Sequence, residues 1–468
     1  MKLFAILLVL IFSFGILAQS GRVGPTGVGE TGGEPTVRQL FDEANGYLKA
    51  KLIEYEQKKV AYSDSLLART KLEQRQLAAR HAAAAATRTN LAGDDFYYLG
   101  MLNWIGDNLD GTAENLLKFI VAEGSPADRV QTARSIAAVV LAKQKKLAEA
   151  EKVFADYLSA EPRKLTEQAR VEGELAKAYQ AENEFIKMTP HAEAAYAASK
   201  DLLKNASSRA RGLDEILDAG MLVFEGHRDS GNREKAEIAL DDMRITGATV
   251  NSSGLYYYAV DQRIKYLIDT GRKPAALAYY ASTLAAIPKE FVDRFSQSEV
   301  TSRLRKRQQH YKLLGETAPE FLAPAEWFPG KARTLADMRG KVVLLDFWAT
   351  WCGPCFEAYP SLIEWHQDYR SAGLEIVGVT RYYGKSGGLP ADQPSEMNFL
   401  KQFRTRERLP YDFAVATGQS IQLQYGATSL PTAVIIDRKG IIRYAETGSS
   451  PSRITQMHEM VKKLLAEK

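Results

Sequence analysis

The sequence predicts a multidomain chain in which an all-α helical-repeat region is followed by an α/β domain. Three observations carry that expectation. A pattern of small, aromatic and proline residues recurs through the middle of the chain, and its clearest copies, Asp229-Ser-Gly231 and Asp269-Thr-Gly271, stand 40 residues apart. Further on, the apolar run from Val342 to Trp348 turns into Trp351-Cys352-Gly353-Pro354-Cys355, as a buried strand does on entering a helix. Short β-branched runs punctuated by glycine and proline then alternate with helical patterns to the end of the chain.

In chain order, Met1-Lys2 followed by the apolar run Leu3 to Leu17 and small residues Ala18 and Ser20 reads as a cleavable secretory signal over 1–20. The run is short for a membrane span of about 20 residues. The expected address is periplasmic or secreted, the alternative being a retained N-terminal anchor. Residues 21–36, rich in Gly, Thr and Pro, lack the apolar content to fold and read as a flexible leader. Residues 37–94 contain strong helix formers and read as one or two long helices, with an apolar stripe that includes Leu40, Val60, Leu72 and Leu77.

Residues 95–310 carry the repeat. Copies centre on Ala113, Ala150, Ala194, Ala236 and Ala276, spaced 37 to 44 residues apart, with Phe154, Leu240 and Tyr280 four residues beyond their alanines. The small residue lets two helices approach, the larger side chain fills the next groove, and Pro162 or Pro288 ends the second helix. A stack of such hairpins forms a solenoid. Across the whole chain, 61 basic against 57 acidic residues leave a net charge of +4, which implies neither a nucleic-acid nor a membrane partner.

Residues 311–468 hold both cysteines of the chain. A thiolate is the reacting form of cysteine, and an ordinary thiol with a pKa of about 8.5 supplies little of it at neutral pH. If a helix starts at Gly353 or Pro354, its unpaired N–H groups and positive dipole end favour the anion at Cys352, the nucleophile. Pro354 suits a first helical turn, and the spacing lets Cys355 reach back as the resolving thiol. Asp346 falls by alternation on the face of Val342, Leu344 and Trp348, opposite Val343, Leu345 and Phe347, so both faces are apolar and the strand is central. Burial raises the pKa of such a carboxyl, fitting it to take a proton from Cys355; a hydrogen-bonded structural Asp is the alternative. A zinc site needs a second pair of ligands, and neither further cysteines nor paired histidines provide one.

Asp346-Phe-Trp-Ala-Thr-Trp-Cys352-Gly-Pro-Cys355, Pro360 and Leu430-Pro431-Thr432 together resemble the thioredoxin fold, and within it the secreted TlpA/ResA-like thiol-disulfide oxidoreductases. Leu374 to Val379 reads as a second parallel strand, Ser395 to Arg408 as a helix capped by Ser395, Val434 to Tyr444 as a hairpin and Ile454 to Lys468 as a closing helix. The resemblance implies a redox disulfide between Cys352 and Cys355, a proton-transfer role for Asp346, and substrate contact through Trp351, Gly353, Pro354, Leu430 and Pro431. It also implies that Pro431 is cis beside the disulfide and that Pro360 kinks the active-site helix. No cofactor is expected. The substrate would be a disulfide-containing protein, and electrons would come from a membrane thiol reductase. The Gly-Pro pair matches thioredoxin, whose potential is about −270 mV, so reduction is the expected direction.

The chain departs from the family in three places, the first being that Leu374 to Val379 lacks the lysine that thioredoxin itself places near its buried acid, which bears on the pKa of Asp346. Where ResA proteins carry a glutamate three residues after the second cysteine, this chain has Ala358, with Glu357 one residue earlier. The segment Tyr382 to Pro394 is an insertion that suits a substrate-facing rim or, more simply, a flexible loop. The repeats resemble tetratricopeptide repeats, whose period is about 34 residues, and imply a protein partner. The competing functional reading is a helical-repeat binding scaffold with a non-essential thioredoxin-like domain.

Overall fold

The computed structural model describes residues 34–321 and 326–467. The expected signal at 1–20, and the leader up to residue 33, lie outside the described residues. Compactness divides the chain between Ala239 and Leu240, inside the helix Arg233–Thr249.

In the first unit every regular element among the described residues is a helix. The expected long segment is two helices, Val37–Gln57 and Asp64–Ala86. Thr36 starts the first with a reciprocal cap, accepting from the Gln39 amide while the Gln39 side chain accepts from its own. The packing stripe is smaller than expected. Leu72 and Val60 are 51% and 44% exposed, whereas Ala78, Ala82 and Ala85 are buried; alanines one turn apart let neighbouring helices come close, which leucines would prevent.

Later helices pack in sequential pairs, Asp94–Ile105 with Leu109–Ile120, Ala127–Lys143 with Leu147–Leu158 and Leu165–Ala181 with Phe185–Leu202. Ala113, Ala150 and Phe154 are buried as the repeat requires. The copy centred on Ala194 is displaced: Ala195 and Ala192 are the buried alanines, and Ala194 is only half-buried.

The second unit combines helices with the sheet. Its strands are β1 (Glu326–Phe328), β2 (Val342–Phe347), β3 (Leu374–Arg381), β4 (Lys385–Ser386), β5 (Leu389–Pro390), β6 (Asp412–Ala416), β7 (Thr432–Ile436) and β8 (Ile442–Thr447). The main sheet has the order β1-β6-β3-β2-β7-β8, with β4 and β5 forming a separate hairpin. β2, β3 and β6 run parallel, while β7 and β8 return as the expected antiparallel hairpin. β2 is central and buried throughout.

Its alternation is as the sequence predicts. Val342, Leu344 and Trp348 join a core with the helices Gly353–Tyr369, Gln393–Arg406 and Pro451–Ala466, while Val343, Leu345 and Phe347 face the other way. That second face is covered by Ser253–Asp269, Lys273–Glu290 and Arg294–Leu313, so the last repeat-region helices share one core with the sheet. Two local expectations change. Pro288 lies within the last turn of Lys273–Glu290 instead of beyond it. Asp392, not Ser395, caps Gln393–Arg406, because Pro394 fits the first helical turn and the Asp392 carboxylate accepts from the Ser395 amide.

Candidate active site

Cys352 ends the strand-to-helix turn as the N-cap of Gly353–Tyr369, where the orphan amides and the positive helix end lie. It is disulfide-bonded to Cys355. Both are buried, Cys355 the more completely, while Trp351, Gly353 and Pro354 are exposed around them. Pro360 lies inside this helix.

The Leu430-Pro431 peptide is cis. Thr432 pairs with Phe347 at the end of β2, which sets Pro431 one position further on, alongside the strand that leads to Cys352. The Pro431 carbonyl accepts from the Gly448 amide at 2.9 Å, and Leu430 packs against the core that contains both cysteines. The expected substrate-contact residues are therefore assembled from two segments: 351–354 at the helix start and 430–431 before β7.

Asp346 sits beneath this surface, opposite Gly378 of β3 and Ala433 of β7, and is 3% exposed. A side chain at Gly378 would meet Trp348 Nε1 and a Phe413 ring carbon at 2.8 Å, so the glycine is what lets the indole close over the strand. No cation pairs with Asp346 among the described residues, and its Oδ2 has no hydrogen-bond partner. Burial alone pushes its carboxyl up to about 7.

Sequence reasoning missed two groups here. Tyr359 and Tyr411 are buried in the same core, their hydroxyls without hydrogen-bond partners, like Trp348 Nε1. Burial, then the nearby Asp346, pushes both phenols upward. Tyr359 follows Cys355 by one helical turn, a spacing visible in the sequence. Tyr411 arrives only through the tertiary fold.

The inserted segment 382–394 is anchored. The Tyr383 ring stands edge-on to Trp351 with centroids 5.3 Å apart, and its hydroxyl accepts from Gln422 Nε2 at 3.0 Å. The Tyr383 and Gly384 amides both donate to the Glu396 carboxylate at 2.8 Å. The insertion thus forms a rim beside Trp351. Glu357, the displaced acid, accepts from Ser449 Oγ at 2.9 Å.

Comparison with known proteins agrees with this geometry. Residues 314–445 match the AhpC/TSA family. The chain is 32% identical over 153 residues to the thiol-disulfide oxidoreductase ResA of Bacillus thuringiensis subsp. konkukian, covering 32% of this chain and 78% of that protein. It is 30% identical over 135 residues to the protein of the same name from Bacillus subtilis, covering 29% of this chain and 68% of that one. Among solved structures, a putative thiol:disulfide interchange protein DsbE from Chlorobium tepidum is 29% identical, covering 33% of this chain and 98% of that one, with a TM-score of 0.27. The disulfide at a helix start, the buried acid below it and the ResA relatives lead to one assignment: through its C-terminal region the chain belongs to the ResA family and is a thiol-disulfide oxidoreductase.

Proposed function

We propose that the protein is an exported reductase of protein disulfides whose helical region recruits a partner. The observation that carries the mechanism is the arrangement of Cys352 at the helix N-terminus, Cys355 one turn inside and Asp346 buried beneath, while the reductive direction rests on the Gly353-Pro354 pair between the cysteines. In the reduced protein the Cys352 thiolate attacks one sulfur of a substrate disulfide, forming a mixed disulfide and expelling the other sulfur as a thiolate. The Cys355 thiol then gives its proton toward Asp346, and its thiolate attacks Cys352 Sγ. The substrate leaves with both sulfurs reduced, and the protein's own pair is oxidised. A carboxyl pushed up to about 7 is matched to that proton transfer near neutral pH.

Returning to the dithiol takes two electrons from outside, for which a membrane thiol reductase is the proposed donor. Export rests on the pattern in residues 1–20. The equilibrium reduction potential, read by thiol trapping and mass spectrometry across a graded dithiothreitol series, tests the direction. A value at or below about −250 mV supports a reductase, whereas one near −120 mV makes the protein an oxidant and overturns the proposal. The scaffold reading is tested by replacing both cysteines with serine, because a pure binding protein would keep its biological role.

A further inference from the structure

A second surface in the sheet-containing unit has no part in the chemistry above. Between the exposed side of Arg294–Leu313 and the segment 423–428 lies a groove of about 810 Å³. Arg294, Arg305, Lys306 and Lys312 line it, with no acidic residue among its lining side chains. None of these four cations forms an ion pair among the described residues, although the same helix pairs Arg303 with Glu299 and buries Arg307 against two carboxylates. The positive charge here is therefore left over after the helix has satisfied its structural partners. Cations clustered in a concave wall raise the local concentration of anions.

The groove is held in shape. Gln309 Nε2 donates to the Gln424 carbonyl at 3.1 Å, and Gly426 lets the helix lie directly on the segment, since a side chain there would meet His310 at 2.8 Å. The remaining lining is rich in Ser, Thr and Gln, which can hydrogen-bond an extended backbone. The lining includes Thr428, which in the chain is followed by Ser429 and then by Leu430 and Pro431 of the disulfide site.

From this continuity we infer that the groove docks an acidic, extended segment of the disulfide-bearing protein substrate, presenting its disulfide to Cys352. The inference rests on the reductase reading and narrows its substrate class. Because the attraction is between exposed charges, it weakens as salt shortens the screening length.

The test uses the reduced full-length protein and two peptides with the same internal disulfide, one flanked by glutamates and the other by glutamines. Their single-turnover reduction is followed by tryptophan fluorescence. At low salt the glutamate peptide is expected to react about tenfold faster. The ratio should fall toward unity in about 0.5 M NaCl and in Arg305→Glu/Lys306→Glu. Equal rate constants for the two peptides, or a preference that survives the double substitution, overturns the inference.

Reduction of neutral hydroxyethyl disulfide by the unmodified protein reports on the reductase reading separately. Should that fail, fluorescence anisotropy with a glutamate-flanked peptide carrying serines for cysteines still decides the groove. Binding lost in the double variant supports it, and no binding overturns it. Co-sedimentation with phosphatidylglycerol vesicles without any peptide preference would assign the groove to lipid headgroups and overturn the peptide assignment.

Discussion

Two buried aspartates in the sheet-containing unit, Asp346 and Asp261, are each 3% exposed, yet their surroundings give them opposite properties. Asp346 lies beside an apolar and aromatic core with unpartnered phenols and has no paired cation among the described residues, and burial pushes it up to about 7. Asp261 is also penalised by burial, but Lys265 and Arg307 outweigh that penalty and hold it well below the usual carboxylate range. Arg307 donates to Asp261 at 3.1 Å, to Glu446 at 2.9 Å and to the Ala445 carbonyl at 2.8 Å, and Tyr311 donates to Asp261 at 2.6 Å. One carboxyl is poised to change protonation near neutrality. The other is a fixed anion that fastens helices to β8. Depth alone does not set a buried acid's role; the charges brought down with it do.

The contrast is broken most severely at Arg307. Arg307→Ala leaves Asp261 and Glu446 buried without their shared guanidinium and is expected to cost about 3–5 kcal/mol, read as a lower urea midpoint. A loss below about 1 kcal/mol would mean that Lys265, which also pairs with both carboxylates, and Arg453, which pairs with Glu446, compensate these anions without Arg307, so that Arg307 is not the fastening.

Next in size is Asp346→Asn. The folded pKa of Asp346 lies above its unfolded value, so the native protein loses stability as pH rises from about 4 to about 7 and levels off beyond. The variant should be more stable at pH 8 by about 2–4 kcal/mol, lack that slope, and turn over at least about a hundredfold more slowly. Denaturant titrations across pH check the first two, and an unchanged slope would remove Asp346 from the proton path.

Asp261 gives the opposite sign. Its stabilisation is complete above about pH 4 and is lost as pH falls further, by about 1–2 kcal/mol over the accessible range. Asp346→Asn should keep this acid-side loss intact. The smallest expected effect is that of Tyr359→Phe. Removing an unpartnered buried hydroxyl should stabilise the oxidised protein by about 1 kcal/mol or less, and a marked destabilisation would reveal a partner for that phenol.

What could be read in advance follows the range of the interactions involved. β2, the helix start at Gly353 and the burial of Asp346 were legible because alternation and punctuation act over a few neighbouring residues. The anchored rim at Tyr383 was not, because the partners that order it, Trp351, Glu396 and Gln422, lie on three other segments. Asp261, Arg307 and Glu446 are likewise separated by long stretches of chain, and a lone arginine in a polar helix gives no sign of being buried. The stripe with Leu72 misled because leucines suggest a core, whereas the tight approach was made by alanines.

The helices over 253–313 and the sheet share a single interior, and this bears on where the molecule can be divided. Family likeness begins near residue 314. A fragment cut there would carry the whole dithiol site, yet it would expose Val343, Leu345, Phe347, Val434 and Ile436 to water and leave Glu446 without Arg307 or Lys265. The stretch matched by the family and the compact unit therefore have different borders in this protein, near residue 314 and at Leu240, and a cut at the first runs through an interior that the second keeps whole.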